Sequence, residues 1–178
     1  MKKVGLYFGS FNPFHIGHLA VAEFFCKSGE IDELRLVVSP KNPLKSDTLE
    51  SSAYDRIESV KRAVERHKLK AIVTDVEFHL PPPLYTIETM RYLKRTEPGS
   101  EFILIIGADN LSIIEKWHEY QSLLSEFEVW VYPRRGYDAA ELCKKYGATL
   151  KEGALIDISG TEIRHGEEIG LDMSRFKA

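Results

Sequence analysis

Cysteine is scarce in this chain, with Cys26 and Cys143 the only two. Neither belongs to a CxxC pair or another metal-ligand spacing, so a disulfide framework and a thiolate zinc site are excluded as organising features, and two reduced thiols are expected. Long apolar runs are missing as well. No stretch approaches the ~20 residues that span a bilayer. Met1-Lys2-Lys3 leads at once into a strand of about six residues, too short for a signal-peptide core. The expectation is a cytoplasmic protein with no membrane partner. Basic charge is not in excess either: a net charge of −3 and a pI near 6.1 argue against nucleic acid as a partner. A small anionic substrate can still be held by a few local cations. The glycine spacing GxGxxG is absent, which removes the main support for hydride chemistry on a dinucleotide.

What is present alternates. Apolar runs of strand length (residues 4–8, 34–38, 71–73, 102–106, 129–132 and 154–158) are separated by helical patterns. The helices are expected over 15–27, 51–67, 86–95, 111–127 with a break near Trp117, 139–145 and 160–168. Phe102-Ile103-Leu104-Ile105-Ile106 has no polar alternation, as a strand buried on both faces of a parallel sheet requires. Repeated βα units with short connections imply a Rossmann-like doubly wound parallel sheet, a three-layer α/β/α fold. An apolar fraction of 43% suffices for one core. With no internal repeat, low-complexity tract or linker, residues 1–178 read as one domain. The oligomeric state is not fixed by the sequence, and a homo-oligomer is compatible with it.

Gly9-Ser10-Phe11-Asn12-Pro13-Phe14-His15-Ile16-Gly17-His18 follows the first strand, where open α/β sheets bind ligands. Gly9 and Ser10 let backbone N–H groups approach a ligand. His15 and His18, three apart, share a face of the first helical turn beside its positive N-terminus, which favours anions. Ordinary core histidines and a metal site are the alternatives, the latter needing a third ligand that sequence does not place. Ser159 and Thr161 bracket a second helix start, with Arg164 one turn later. Hydroxyls, N–H groups and a bidentate guanidinium there suit phosphate oxygens, although a capped surface helix would look the same.

The first turn resembles the HxGH signature of the nucleotidyltransferase superfamily that includes class I aminoacyl-tRNA synthetases, and Ile158 to Arg164 resembles its SxTxxR signature. Between them the chain resembles bacterial nicotinate-nucleotide adenylyltransferases along almost its whole length. Pro40 to Lys45 is similar to their substrate loop, Tyr85-Thr86-Ile87-Glu88-Thr89 to their Tyr-Thr-x-x-Thr segment, and Gly107-Ala108-Asp109 to their Gly-Ala-Asp turn. Trp117 and Arg134-Arg135-Gly136 complete the series. The chain departs from the family pattern at Asn12, Leu44, Gly160 and His118.

The resemblance implies adenylyl transfer from ATP to nicotinate mononucleotide, giving nicotinate adenine dinucleotide (deamido-NAD) and pyrophosphate, with Mg²⁺ accompanying ATP and no metal held by the protein. It implies His15, His18 and Arg164 as catalytic groups. Gly9, Ser10, Phe11, Gly107, Asp109, Ser159 and Thr161 join them in holding ATP. Asn12, Lys45, Thr86, Trp117 and Arg134 are implied for the mononucleotide. On residue type alone Asp109 is as good a helix cap as a ribose acceptor, and Trp117 as good a core residue as a stacking platform. Rival readings are phosphopantetheine adenylyltransferases, which carry Thr where His15 stands, glycerol-phosphate cytidylyltransferases, enzymes preferring nicotinamide mononucleotide, and a nucleotide sensor without turnover.

Overall fold

The structure, a computed structural model, describes residues 1–40, 50–153 and 177. Among the described residues six parallel strands run in the order β3-β2-β1-β4-β5-β6. They are β1 (Lys2–Gly9), β2 (Glu33–Val38), β3 (Ala71–Thr74), β4 (Ser100–Gly107), β5 (Glu128–Tyr132) and β6 (Thr149–Leu150). The helices are α1 (Ile16–Lys27), α2 (Glu50–Arg66), α3 (Thr86–Thr96), α4 (Ala108–Ser112), α5 (Tyr120–Glu126) and α6 (Ala139–Tyr146), with 3₁₀ turns at Val76–His79 and Ile114–Lys116.

Strand alternation sorts the core into two layers. Phe102, Leu104 and Ile106 of β4 pack with Ile87, Met90 and Leu93 of α3, Leu111, Leu123 and Cys143. Ile103 and Ile105 face the other way, onto Val21, Ala22 and Phe25 of α1 and Ile57 and Val60 of α2. Both faces of the central strand are therefore dry, which is why its sequence carries no polar period. Trp130 lies in the second layer, stacked on Phe25 with ring centroids 6.1 Å apart.

Two short elements go beyond the sequence expectation, and one expected break is present. β6 comes at Thr149–Leu150, a two-residue run too short to carry periodicity; the strand expected over 154–158 and the helix over 160–168 lie outside the described residues. The helical stretch expected over 111–127 does break near Trp117, which is extended at ψ 141° and is followed by the left-handed Glu119 at φ 51°, so that it forms α4, a 3₁₀ turn and α5. Val76–His79 forms a turn that has no helical period to reveal it.

Candidate active site

The strand order reverses between β1 and β4, which makes their carboxyl ends the topological switch point of the sheet, where such folds place ligands. A cavity of about 220 Å³ opens there. It is lined by Tyr7 to Phe11, His15, His18, Asp109, Asn110, Tyr132 and Arg134, drawn from the turn after β1, the start of α4 and the exit of β5.

The turn after β1 is shaped by Phe11, a non-glycine residue at φ +48°. That backbone costs about 1–2 kcal/mol, and it drives the ring into the core at 1% exposure while Ser10 and Asn12 stay exposed. Gly9 makes room for it, since a Cβ there would lie 2.9 Å from the Phe11 ring. The Asn12-Pro13 peptide is cis.

His15 is the N-cap of α1, and the histidines complete a capping box. Nδ1 of His15 accepts the N–H of Gly17 at 3.0 Å and of His18 at 3.4 Å, and Nδ1 of His18 accepts the N–H of His15 at 3.1 Å. A nitrogen that accepts carries no proton, so each neutral ring bears its proton on Nε2. The rings stack at 3.7 Å, and His18 is sandwiched against Phe14 at 5.5 Å with Phe11 edge-on at 5.0 Å. Burial, reinforced by Arg134, lowers the His15 pKa to about 4. Burial, then His15, then Arg134 push His18 well down too. Both imidazoles are therefore neutral at pH 7 and act as Nε2–H donors. The first-turn N–H groups of Gly17 and His18 are spent inside the box, so the rings relay the helix's donor capacity outward.

Asp109 and Arg134 face each other across the cavity, Nε to Oδ1 at 3.9 Å. That separation is too long for a hydrogen bond, and Asp109 Oδ1 is a buried oxygen with no hydrogen-bond partner among the described residues. Gly107 is required beside it, because a Cβ there would strike Asp109 Oδ1 and approach the Tyr132 ring at 3.0 Å. Tyr7 and Tyr132 hydroxyls lie 3.4 Å apart on the cavity wall, both raised in pKa chiefly by burial.

The profile of the Cytidylyltransferase-like family matches residues 6–166. The chain belongs to that family. A Bacteroides fragilis protein named "Probable nicotinate-nucleotide adenylyltransferase" is 38% identical over 174 residues, covering 98% of this chain and 86% of its own. A Porphyromonas gingivalis protein of the same name is 40% identical over 171 residues, covering 95% and 86%. Plasmodium falciparum nicotinic acid mononucleotide adenylyltransferase complexed with NaAD superposes with a TM-score of 0.85 at 21% identity, over 98% of this chain and 88% of that one. The relatives place the chain among the nicotinate-nucleotide adenylyltransferases of the Cytidylyltransferase-like family, and the superposition establishes that it shares their fold.

Within this family member the expected residues fall into groups. Gly9, Ser10, Phe11, His15, His18 and Asp109 line one cavity. Arg134 lies with them, beside the histidines, rather than with Thr86 and Trp117, which do not line it. Thr86 opens α3, whose N-cap Tyr85 makes no side-chain cap bond. Trp117 is partly buried against the core, and its neighbour His118 stacks on Tyr85 at 4.1 Å. Asn12 is exposed at the turn. Lys45, Ser159, Thr161 and Arg164 lie outside the described residues. His15 also pairs with Lys177 through an isolated antiparallel bridge. Arg56 and Glu77 carry no signal in the sequence, because their partners are 12 to 46 residues away and no local pattern marks such contacts.

Glu88, His118 and Glu119 bring potential ligand atoms within 4.8 Å of one another, away from the cavity. Arg91 already stands there, 3.4 Å from Glu88 and 3.3 Å from Glu119, so a guanidinium supplies the positive charge. No described helix is long and apolar enough to cross a membrane.

Proposed function

We propose that the chain transfers the adenylyl group of ATP to nicotinate mononucleotide, releasing pyrophosphate. The observation that carries this reading is the pair of stacked imidazoles, locked as Nε2–H donors at the switch point beside Arg134. A phosphate oxygen of the mononucleotide attacks the α-phosphorus of ATP. The new P–O bond forms in line as the bond to the β-phosphate bridging oxygen breaks, and pyrophosphate leaves with that electron pair. The nucleophile is already anionic, so the mechanism needs no base, and neutral histidines suit it. His15 and His18 hold ATP phosphate oxygens, His18 nearest the α-phosphate, and stabilise the charge that builds there.

Arg134 adds a cation on the same side of the cavity. Arg164, Ser159 and Thr161 hold the β and γ groups, and Lys45 neutralises the incoming phosphate, roles that rest on the resemblance of their motifs. Asp109 Oδ1, buried beside Arg134 and without a hydrogen bond among the described residues, supports the reading of Asp109 as the ribose acceptor, because a buried oxygen with no hydrogen bond is costly until a hydroxyl supplies one. Thr86 and the uncapped N–H groups of α3 receive the pyridine carboxylate, with Trp117 as the stacking face.

Magnesium enters with ATP and shares the triphosphate charge. Asp109 is the one carboxylate among the described cavity residues, and it faces Arg134; an ion accompanying ATP would keep phosphate oxygens and water as most of its ligands. The test is pyrophosphate release with ATP, Mg²⁺ and, in turn, nicotinate mononucleotide, nicotinamide mononucleotide and phosphopantetheine. Release with the first substrate, lowered roughly 10²–10³-fold by His18→Ala, is expected. Silence with nicotinate mononucleotide, or full rate in the variant, would overturn the reading.

A further inference from the structure

Two charged side chains outside the cavity tie its β1 turn to the exit of β2 and to α3. Arg56, half-buried on α2, reaches across the carboxyl edge of the sheet and donates from Nη1 to the carbonyls of Ser10 at 2.5 Å and Ser39 at 2.9 Å, and from Nη2 to that of Pro40 at 2.8 Å. One guanidinium thus fastens the turn after β1 to the exit of β2. Ser39 then passes the connection on. Its hydroxyl donates to Glu77 Oε1 at 2.9 Å, and the other oxygen of the same carboxyl accepts the hydroxyl of Thr89 at 2.7 Å. Thr89 lies in α3, one turn beyond Thr86, and its hydroxyl also faces the carbonyl of Tyr85 at 3.4 Å.

Glu77 is 4% exposed, its pKa is raised by burial, and both bonds that act against this are to neutral hydroxyls. Burying a carboxyl on hydroxyls alone stabilises less than a well-packed leucine would. A fold that needed only stability at this position gains nothing from the acid. What the acid does provide is direction, since its two oxygens hold two elements at a fixed separation.

We propose that Arg56 and Glu77 are positioning residues: joined through Ser39, they form a polar bridge, Ser10–Arg56–Ser39–Glu77–Thr89, that holds the start of α3 in register with the phosphate-binding turn. The proposal rests on the reading that the start of α3 receives the acceptor nucleotide while the turn receives ATP. A two-substrate in-line reaction requires those parts to keep their spacing, and a displacement of 1 Å costs as much as 10²-fold. Arg56 fixes the near end and Glu77 the far end.

Steady-state kinetics on the full chain, with nicotinate mononucleotide and ATP varied separately, test it. Wild-type turnover comes first, and its absence condemns the functional reading rather than the bridge. Given turnover, Thr89→Val and Glu77→Ala should raise the KM for the mononucleotide about tenfold and leave the KM for ATP within about twofold. Thr89→Ser, which restores the hydroxyl, should return the mononucleotide KM to the wild-type value. Ser39→Ala combined with Thr89→Val should cost no more than the worse single change, because both cut one chain. Unchanged substrate constants with only a lowered melting temperature, or additive losses in the double variant, would overturn the proposal.

Discussion

A histidine that caps a helix with its own ring cannot take up a proton without giving up the cap. His15 spends Nδ1 on two backbone N–H groups, is 2% exposed, and has its pKa lowered to about 4, first by burial and then by Arg134. In the unfolded chain the same ring titrates near 6.5. Above that pH both states are neutral and the cap's contribution is complete. As pH falls from about 6.5 toward 4 the unfolded chain gains a proton that the folded one refuses, and stability is lost across that window, up to about 3 kcal/mol. His15→Asn keeps a capping oxygen but does not titrate. Urea unfolding at pH 7 and pH 4.5 should show the wild type losing more stability than the variant, the carboxylates common to both cancelling in the comparison. Parallel losses would mean that the ring is not held neutral by the fold. His15 and His18 were legible in the sequence because their spacing is local. The role of Nδ1 was not, since it depends on where backbone N–H groups point.

At the scale of elements, the site is made where strands stop. β1 ends at Gly9 and β4 at Gly107, and each glycine gives way to a side chain two residues on, Phe11 in one case and Asp109 in the other. Gly107 has φ −81° and ψ 160°, a conformation alanine adopts freely, so Gly107→Ala adds no backbone strain. Its methyl must instead displace Asp109 and the Tyr132 ring. The expected result is a loss of about 1–3 kcal/mol in denaturant unfolding together with a higher KM for ATP. A variant with wild-type ATP affinity would show that Asp109 does not need its present place. The long elements could be read from the sequence because burial imposes a period over eight or more residues. The two-residue β6 and the turn at Val76–His79 could not, because neither is long enough to repeat.

For the whole molecule, the strand order explains why remote segments meet. β1 lies between β2 and β4, so the turn after β1 touches the exit of β2 on one side, through Arg56, and α4 on the other, through the cavity. Alternating strands and helices announced the doubly wound sheet, and the sheet in turn announced the switch point. Arg134 and Asp109 could be matched to the family by their motifs, yet their approach to 3.9 Å follows only from the β4–β5 pairing. Arg56 and Glu77 belong to this scale entirely, since they act between elements. The central claim is that bond breaking occurs at the α-phosphorus of ATP with nicotinate mononucleotide as acceptor. Incubating the chain with ATP labelled at the α- or the γ-phosphate, Mg²⁺ and nicotinate mononucleotide tests it most directly. The account predicts α-label in nicotinate adenine dinucleotide and γ-label in pyrophosphate; α-label left in ADP, with γ-label in inorganic phosphate or on the mononucleotide, would contradict it.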